Sequence, residues 1–136
     1  MTELEKAYIA GIVDGEGSIM LQKFHYNEYP SPCVSIASTT YELLDWIKSV
    51  IGKGTIKQKK NYNSSKHKDC YSYVLKYDDA IELIKEIYTY LIINSKRRRS
   101  ELIINNYKAL TPRNGRYSDE LLKAKLNFYN EFISIK

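Results

Sequence analysis

Residues 8–18 read Tyr8-Ile9-Ala10-Gly11-Ile12-Val13-Asp14-Gly15-Glu16-Gly17-Ser18, and three features set the stretch apart. Ala7, Gly11 and Gly15 recur at intervals of four, so on a helix they share one face. Small residues on such a face let a second helix approach closely, a steric rule best documented in membranes. Gly11 would cost about 1 kcal/mol against Ala in a helix interior, which points to a packing reason. Asp14 and Glu16 fall at the helix C-terminus, where the macrodipole disfavours carboxylates by about 0.3–1 kcal/mol, so stability explains them poorly. Gly15 and Gly17 leave the neighbouring carbonyls accessible, and carboxylate and carbonyl oxygens are what Mg²⁺ or Ca²⁺ prefers. The bland alternative is an amphipathic helix with a glycine stop.

Upstream, Thr2-Glu3-Leu4-Glu5 is a capping box, so the helix should run from there to about Asp14. Downstream, Ser18–Tyr26 alternates, with Ile19 and Leu21 on one face and Met20, Gln22 and Phe24 on the other, the pattern of a half-buried strand. His25–Pro32 reads as a hairpin loop. Cys33–Ser38 reads as the returning strand, with Val34 and Ile36 inward and Cys33, Ser35 and Ala37 outward. Thr39-Thr40-Tyr41-Glu42 repeats the capping-box pattern ahead of a helix that should end at Gly52. Thr55–Asn61 and Tyr71–Tyr77 read as a second hairpin, joined by the polar stretch NYNSSKHKD, read as a mobile loop. Asp78 or Asp79 should cap a third helix, Lys96–Leu110 fits a fourth, and Ser118 should cap the last.

Helix, two strands, helix, two strands, then helices predicts an α+β fold, an antiparallel sheet with helices on one face. The other face is then open. Its expected members are Met20, Gln22, Phe24, Cys33, Ser35, Thr55, Lys57, Lys59, Asn61, Tyr71 and Tyr73. A polar, basic, aromatic sheet face suits a nucleic-acid groove; an ordinary solvated face is the competing reading.

IAGIVDGEG resembles the defining motif of the LAGLIDADG homing endonucleases: a small pair, an apolar pair, then acid, glycine, acid, glycine, followed by a strand. The resemblance implies the αββαββα core, its sheet forming a saddle, over residues 1–136 as one domain. It implies site-specific, metal-dependent cleavage of a long pseudo-palindromic DNA duplex, encoded within an intron or intein. The alternative within the same resemblance is a non-cleaving DNA- or RNA-binding relative, such as an intron maturase or regulator. One motif copy implies a homodimer with Ala7, Ala10, Gly11 and Asp14 at the interface. Glu16 would be the catalytic metal ligand, with the Gly15 carbonyl as a second. The expected ion is Mg²⁺, with Ca²⁺ or Mn²⁺ as substitutes. Asp14 is read as a cap or buttress of the helix pair rather than a ligand. Lys96, after Tyr90-Leu91-Ile92-Ile93-Asn94-Ser95, would orient solvent near the phosphate, with Arg97 as its rival. Ser38 matches a polar position in the family's solvent network, where a longer Gln is common.

Composition agrees with a nucleic-acid partner without requiring one. The 136 residues carry 21 Lys plus Arg against 16 Asp plus Glu, a formal charge of +5, which favours an acidic partner. Hydrophobic residues at 43% are enough for a packed core. No run approaches the roughly 18 apolar residues a membrane span needs. The start MTELEKAYIAG lacks a basic segment, so no secretory leader is expected. Cys33 and Cys70 are too few for a disulfide framework or zinc cage, and a reducing intracellular compartment is expected. His25 and His67 lie in expected loops and receive no catalytic role. There is no phosphate-binding or dinucleotide glycine fingerprint.

Overall fold

A computed structural model describes residues 1–63 and 65–136; Ser64, within the polar stretch expected as a mobile loop, lies outside the described residues. The first capping box closes, the Thr2 hydroxyl accepting the Glu5 N–H at 3.1 Å and the Glu5 carboxylate accepting the Thr2 N–H at 2.8 Å. Helix α1 spans Glu3–Glu16, two residues beyond the expected end at Asp14. Gly15 stays inside the last turn and Gly17 is the stop. Contact requires glycine at 17: a Cβ there would stand 2.8 Å from the Val13 Cα.

The chain continues through β1 (Gly17–Gln22), β2 (Ser31–Ser38), α2 (Tyr41–Ile51), β3 (Thr55–Gln58), β4 (Tyr71–Lys76) and α3 (Tyr77–Ile87). A 3₁₀ turn (Tyr88–Tyr90) leads into α4 (Asn94–Leu102), a π turn (Ile103–Tyr107) and α5 (Asp119–Ser134). Three local expectations are corrected. The capping box expected from Thr39 to Glu42 does not form: Thr40 takes the N-cap position of α2 without a side-chain cap, and its N–H, which a box would give to a Glu side chain, donates to the Ser38 hydroxyl at 3.0 Å. Asp78 and Asp79 sit in the first turn of α3, favourable to its dipole, but Lys76 holds the cap position. The expected Lys96–Leu110 helix starts two residues earlier and widens at Ile103, where the Asn106 amide donates to the Leu102 carbonyl at 3.2 Å. Ser118 caps α5 as expected, accepting the Leu121 N–H at 3.1 Å.

The four strands pair antiparallel in the order β1-β2-β4-β3. Register assigns the faces, since directly opposed residues point the same way. Ile19 pairs with Val34 and Val34 with Leu75; Ile36 pairs with Tyr73 and Tyr73 with Ile56. This face carries the helices, and its side chains join Ile9, Ala10 and Val13 of α1, Leu44 and Ile47 of α2, Ile84 and Ile87 of α3, Ile103 and Phe132 in one buried cluster. The opposite face bears Met20, Cys33 and Lys76 in one row and Ser18, Ser35, Val74 and Thr55 in the next. Among the described residues, no helix is long and apolar enough to cross a membrane.

Candidate functional site

The last turn of α1 delivers two carboxylates in opposite directions. Asp14 turns inward across the chain, its two oxygens accepting the Ile92 and Ile93 N–H groups at 2.8 and 3.2 Å. It thereby anchors the entry to α4 at Ile92 and at the N-cap residue Ile93, whose own side chain offers no acceptor. Lys96 answers from α4, its ammonium donating to the Val13 and Asp14 carbonyls at 2.7 Å each. An acid sits on the positive end of one helix and a cation on the negative end of the other, the stabilising sense for both dipoles. Asp14, half-buried, thus buttresses α4 of its own chain, where the expectation had it cap or buttress the helix pair. Burial lowers the Lys96 pKa, and the charges of Asp14 and Glu16 oppose that shift.

Glu16 is exposed, and among the described residues no hydrogen bond or ion pair reaches its carboxylate. Lys96 occupies the Val13 and Asp14 carbonyls and leaves that of Gly15 out of its grip. A free carboxylate beside a helix-end carbonyl offers the hard oxygens that Mg²⁺ or Ca²⁺ takes. The donor set therefore fits a divalent cation in part. Among the described residues no three His, Cys, Asp or Glu side chains converge on a metal position, so further oxygens would have to come from another molecule.

On the outer side of α1, Ala7, Gly11 and Gly15 are exposed, and a Cβ at either glycine would meet nothing within 4 Å. Ala10 is a correction: at 0% exposure it packs in the core and has no surface to present to a second copy. Beside the small-residue face lies an apolar hollow of about 700 Å³ between α1 and α2, lined by Leu4, Tyr8, Leu43 and Trp46. The Tyr8 and Trp46 rings meet edge to face at 5.2 Å.

The open sheet face forms a shallow groove of about 270 Å³ that includes Gln22, Phe24, Cys33, Ser35, Thr55 and Lys57. Met20 shares this face, and Lys59 extends it, its N–H bonding the Cys70 carbonyl at 2.7 Å. Four expected members differ. Tyr71 and Tyr73 point the other way: Tyr71 packs on Tyr41 of α2 at 5.2 Å, and Tyr73 is fully buried with its hydroxyl donating to the Lys53 carbonyl. Burial and the nearby Asp79 charge raise the Tyr73 pKa well above the ordinary tyrosine value. Cys33 lies at the groove floor with 1% exposure, too enclosed to touch a ligand edge, and burial raises its thiol pKa. Asn61 instead ties its own loop, donating to the His67 carbonyl at 2.8 Å and the Asp69 carboxylate at 3.2 Å.

The residues that sequence reasoning missed here are Ser72, Val74 and Lys76, which hold the β4 positions given to the tyrosines. The signal was the alternation of Tyr73 and Leu75 with them. Ser38 ends β2 on the helix-covered face, opposite Tyr71, and lies two residues beyond the Gly17–Ile36 pair, at the sheet edge where Glu16 emerges. Its hydroxyl accepts from Thr40 and retains a proton to donate. Arg97 is exposed on α4.

No protein-family model matches the chain, and no curated protein sequence does. The solved structures are another matter. A helix ending in acids and feeding a four-stranded antiparallel sheet, with one face helical and the other open, is the LAGLIDADG fold, and the chain has that fold. It is similar to the homing endonuclease I-CvuI, solved with its target and Ca (TM-score 0.70, 18% identity, covering 98% of this chain and 82% of that one). It is also similar to the archaeal intron-encoded homing endonuclease I-Vdi141I complexed with DNA (0.65, 20%, 98% and 85%). The LAGLIDADG homing endonuclease I-GzeII in complex with its DNA target matches at 0.64 and 23% identity, over 96% of this chain but 43% of that one. At these identities the likeness is one of fold.

Proposed function

We propose that the chain is a LAGLIDADG homing endonuclease that works as a homodimer, cutting both strands of a long pseudo-palindromic DNA duplex with a divalent cation, Mg²⁺ first. The observation that carries this is the outer side of α1: Gly11 and Gly15 have open space at both Cβ positions, and the same helix ends in an unengaged Glu16 beside a basic open sheet. Two copies packed along that face bring two Glu16 carboxylates together, and the apolar hollow at Leu4, Tyr8, Leu43 and Trp46 widens the buried area. Glu16 and the Gly15 carbonyl would hold the cation. Bound there, it supplies charge stabilisation on the phosphodiester and a more acidic water. Lys57, Lys59 and Lys76 hold phosphates or guanine edges while Gln22, Ser35 and Thr55 meet base edges in the major groove. Lys96 acts first as a positioning residue, fixing the α1 tip through its carbonyls.

A second reading, a non-cleaving DNA- or RNA-binding relative, draws on Lys96, whose ammonium bonds α1 carbonyls rather than standing free beside Glu16. The test is single-turnover cleavage of a randomised duplex library with Mg²⁺, with Ca²⁺ as the binding-only arm. Wild type is expected to cut an enriched sequence, and Glu16→Gln to bind it while losing cleavage by at least about 10²–10³-fold, the scale on which removing one transition-state stabiliser acts. Full activity in Glu16→Gln would remove the ligand assignment. A wild type that binds without cutting would favour the second reading.

A further inference from the structure

Tyr77, the first residue of α3, has φ 54, and among the described residues no other non-glycine residue has positive φ. A bulky L residue in the left-handed region is strained and persists only where its surroundings over-determine it. Neither the helix nor the sheet asks for a ring here, since the α3 cap uses no side chain. The surroundings that hold it belong to another hairpin. The Tyr77 hydroxyl donates to Glu28 Oε1 at 2.9 Å, and the same oxygen accepts the Phe24 and His25 N–H groups at 3.2 Å each. The Tyr77 ring meets Phe24 edge-on at 5.4 Å, while the Lys76 ammonium sits 4.5 Å over the Phe24 ring. The base of the β1–β2 loop, residues 23–30, is thereby bolted to the β4–α3 junction at the end of the open groove. Partial burial raises the Glu28 pKa, but the Tyr77 bond, the two amides and the His25 charge outweigh it, and the carboxyl is held below its ordinary value. The acid therefore stays ionised, the form that accepts all three of these hydrogen bonds.

We propose that Tyr77 is a specificity-setting positioning residue: through Glu28 and Phe24 it holds the 23–30 loop in one conformation, so that the loop reads the outer base pairs of each half-site. The inference rests on the open face being a DNA surface. Lys23, His25, Tyr26 and Asn27 are exposed along this loop and carry the donors, acceptors and ring that base edges and sugars take. Held by the clamp, they meet the duplex without first being ordered, and a contact that need not be ordered discriminates more sharply.

The test uses the full chain and two variants, Tyr77→Phe, which keeps the ring and loses the donor, and Glu28→Gln. Without DNA, amide exchange at Phe24 and His25 should quicken by about tenfold in Tyr77→Phe, the worth of one lost net hydrogen bond. With DNA, bound duplexes are sequenced from a randomised library in Ca²⁺. Both variants should lose preference at the outer pairs, by roughly tenfold, and keep it at the inner pairs, toward the Glu16 end of the groove where Ser18 and Lys57 lie. Unchanged exchange, an unchanged outer profile, or an equal loss at every position would each overturn the proposal. A wild type that enriches no sequence overturns the DNA-surface reading, a failure distinct from that of the clamp because the exchange measurement stands apart from it.

Discussion

Removing the Asp14 carboxylate should loosen α4 from α1 by an amount the geometry sets. Two N–H groups at the α4 start, Ile92 and Ile93, bond its oxygens at 2.8 and 3.2 Å, and α4 has no side-chain cap of its own. Losing an N-cap costs about 0.5–2 kcal/mol. A charged acceptor argues for the upper half of that range and partial exposure for the lower, giving about 1–2 kcal/mol for Asp14→Ala. In a chain of 136 residues this is a fall of roughly 3–8 °C in Tm. Asp14→Asn keeps one acceptor oxygen and should lose about half as much. The charge removed also opposes the burial shift of Lys96, so the lysine pKa should drop further, and a cycle with Lys96→Met should give a coupling energy of about 0.5 kcal/mol or more. Urea denaturation measures the stability, and amide exchange at Ile92 and Ile93 localises it. An Asp14→Ala protein within about 0.3 kcal/mol of wild type, with both amides equally protected, would refute the reasoning.

Two further outcomes follow from contacts. Gly17→Ala drives a Cβ to 2.8 Å from the Val13 Cα and should cost about 1–3 kcal/mol by overpacking, whereas Gly11→Ala, with open space, should be neutral or gain up to about 1 kcal/mol of helix propensity; denaturation midpoints compare them, and Gly11→Leu should yield monomer in sedimentation if the outer face pairs. DNA affinity should fall steeply with salt. Lys57→Met or Lys76→Met should reduce the salt slope by about 1 if that lysine holds a phosphate, or cost about 1–3 kcal/mol at one base pair if it reads a guanine; variants that bind and discriminate as wild type does would remove both from the interface.

The elements were legible where a local rule and the tertiary environment agreed. Thr2 with Glu5 and Ser118 are local instructions that nothing in the fold contradicts; the glycine stop was legible but placed two residues early, since Gly15 stays in the helix and Gly17 ends it. The strand faces were readable where apolar and polar residues alternate plainly, as in Val34-Ser35-Ile36. Tyr71-Ser72-Tyr73-Val74-Leu75 puts both rings and Leu75 on one parity but Val74 on the other, so neither face is plainly polar. Reading the tyrosines as groove residues put them on the wrong side, because a shift of one residue exchanges the faces. What decided the matter was the Lys53 carbonyl waiting for the Tyr73 hydroxyl, 20 residues away in sequence. Ala10 failed for a related reason: small size suggested a helix contact, and the contact exists, but it is with the chain's own core. Lys96 was found by family position, yet its bonds to Val13 and Asp14 depend on how α4 docks. Glu28 and Tyr77 left no local signal at all, since a turn-loop acid and a strand-end tyrosine are unremarkable until they meet.

The exchange of caps between Asp14 and Lys96 has a consequence for how the molecule comes into being. Its bonds join residues 78 to 83 apart in sequence, so they close loops nearly as long as most of the fold, and such closures are entropically disfavoured until intervening structure has shortened the search. Both hairpins and α1 can form from neighbours, and the Gly17–Ile36 pairing holds the end of α1 to β2; the contacts of Asp14 and Lys96 cannot form that way. During synthesis the Asp14 carboxylate waits until Ile92 and Ile93 have emerged, with Lys96 close behind, and during refolding the exchange waits on the β2–β4 pairing that brings the two halves together. The Asp14 carboxylate, near the start of the chain, is thus expected among the last groups to find its partners, and an incomplete chain ending before α4 would carry the tip of α1 without that second support.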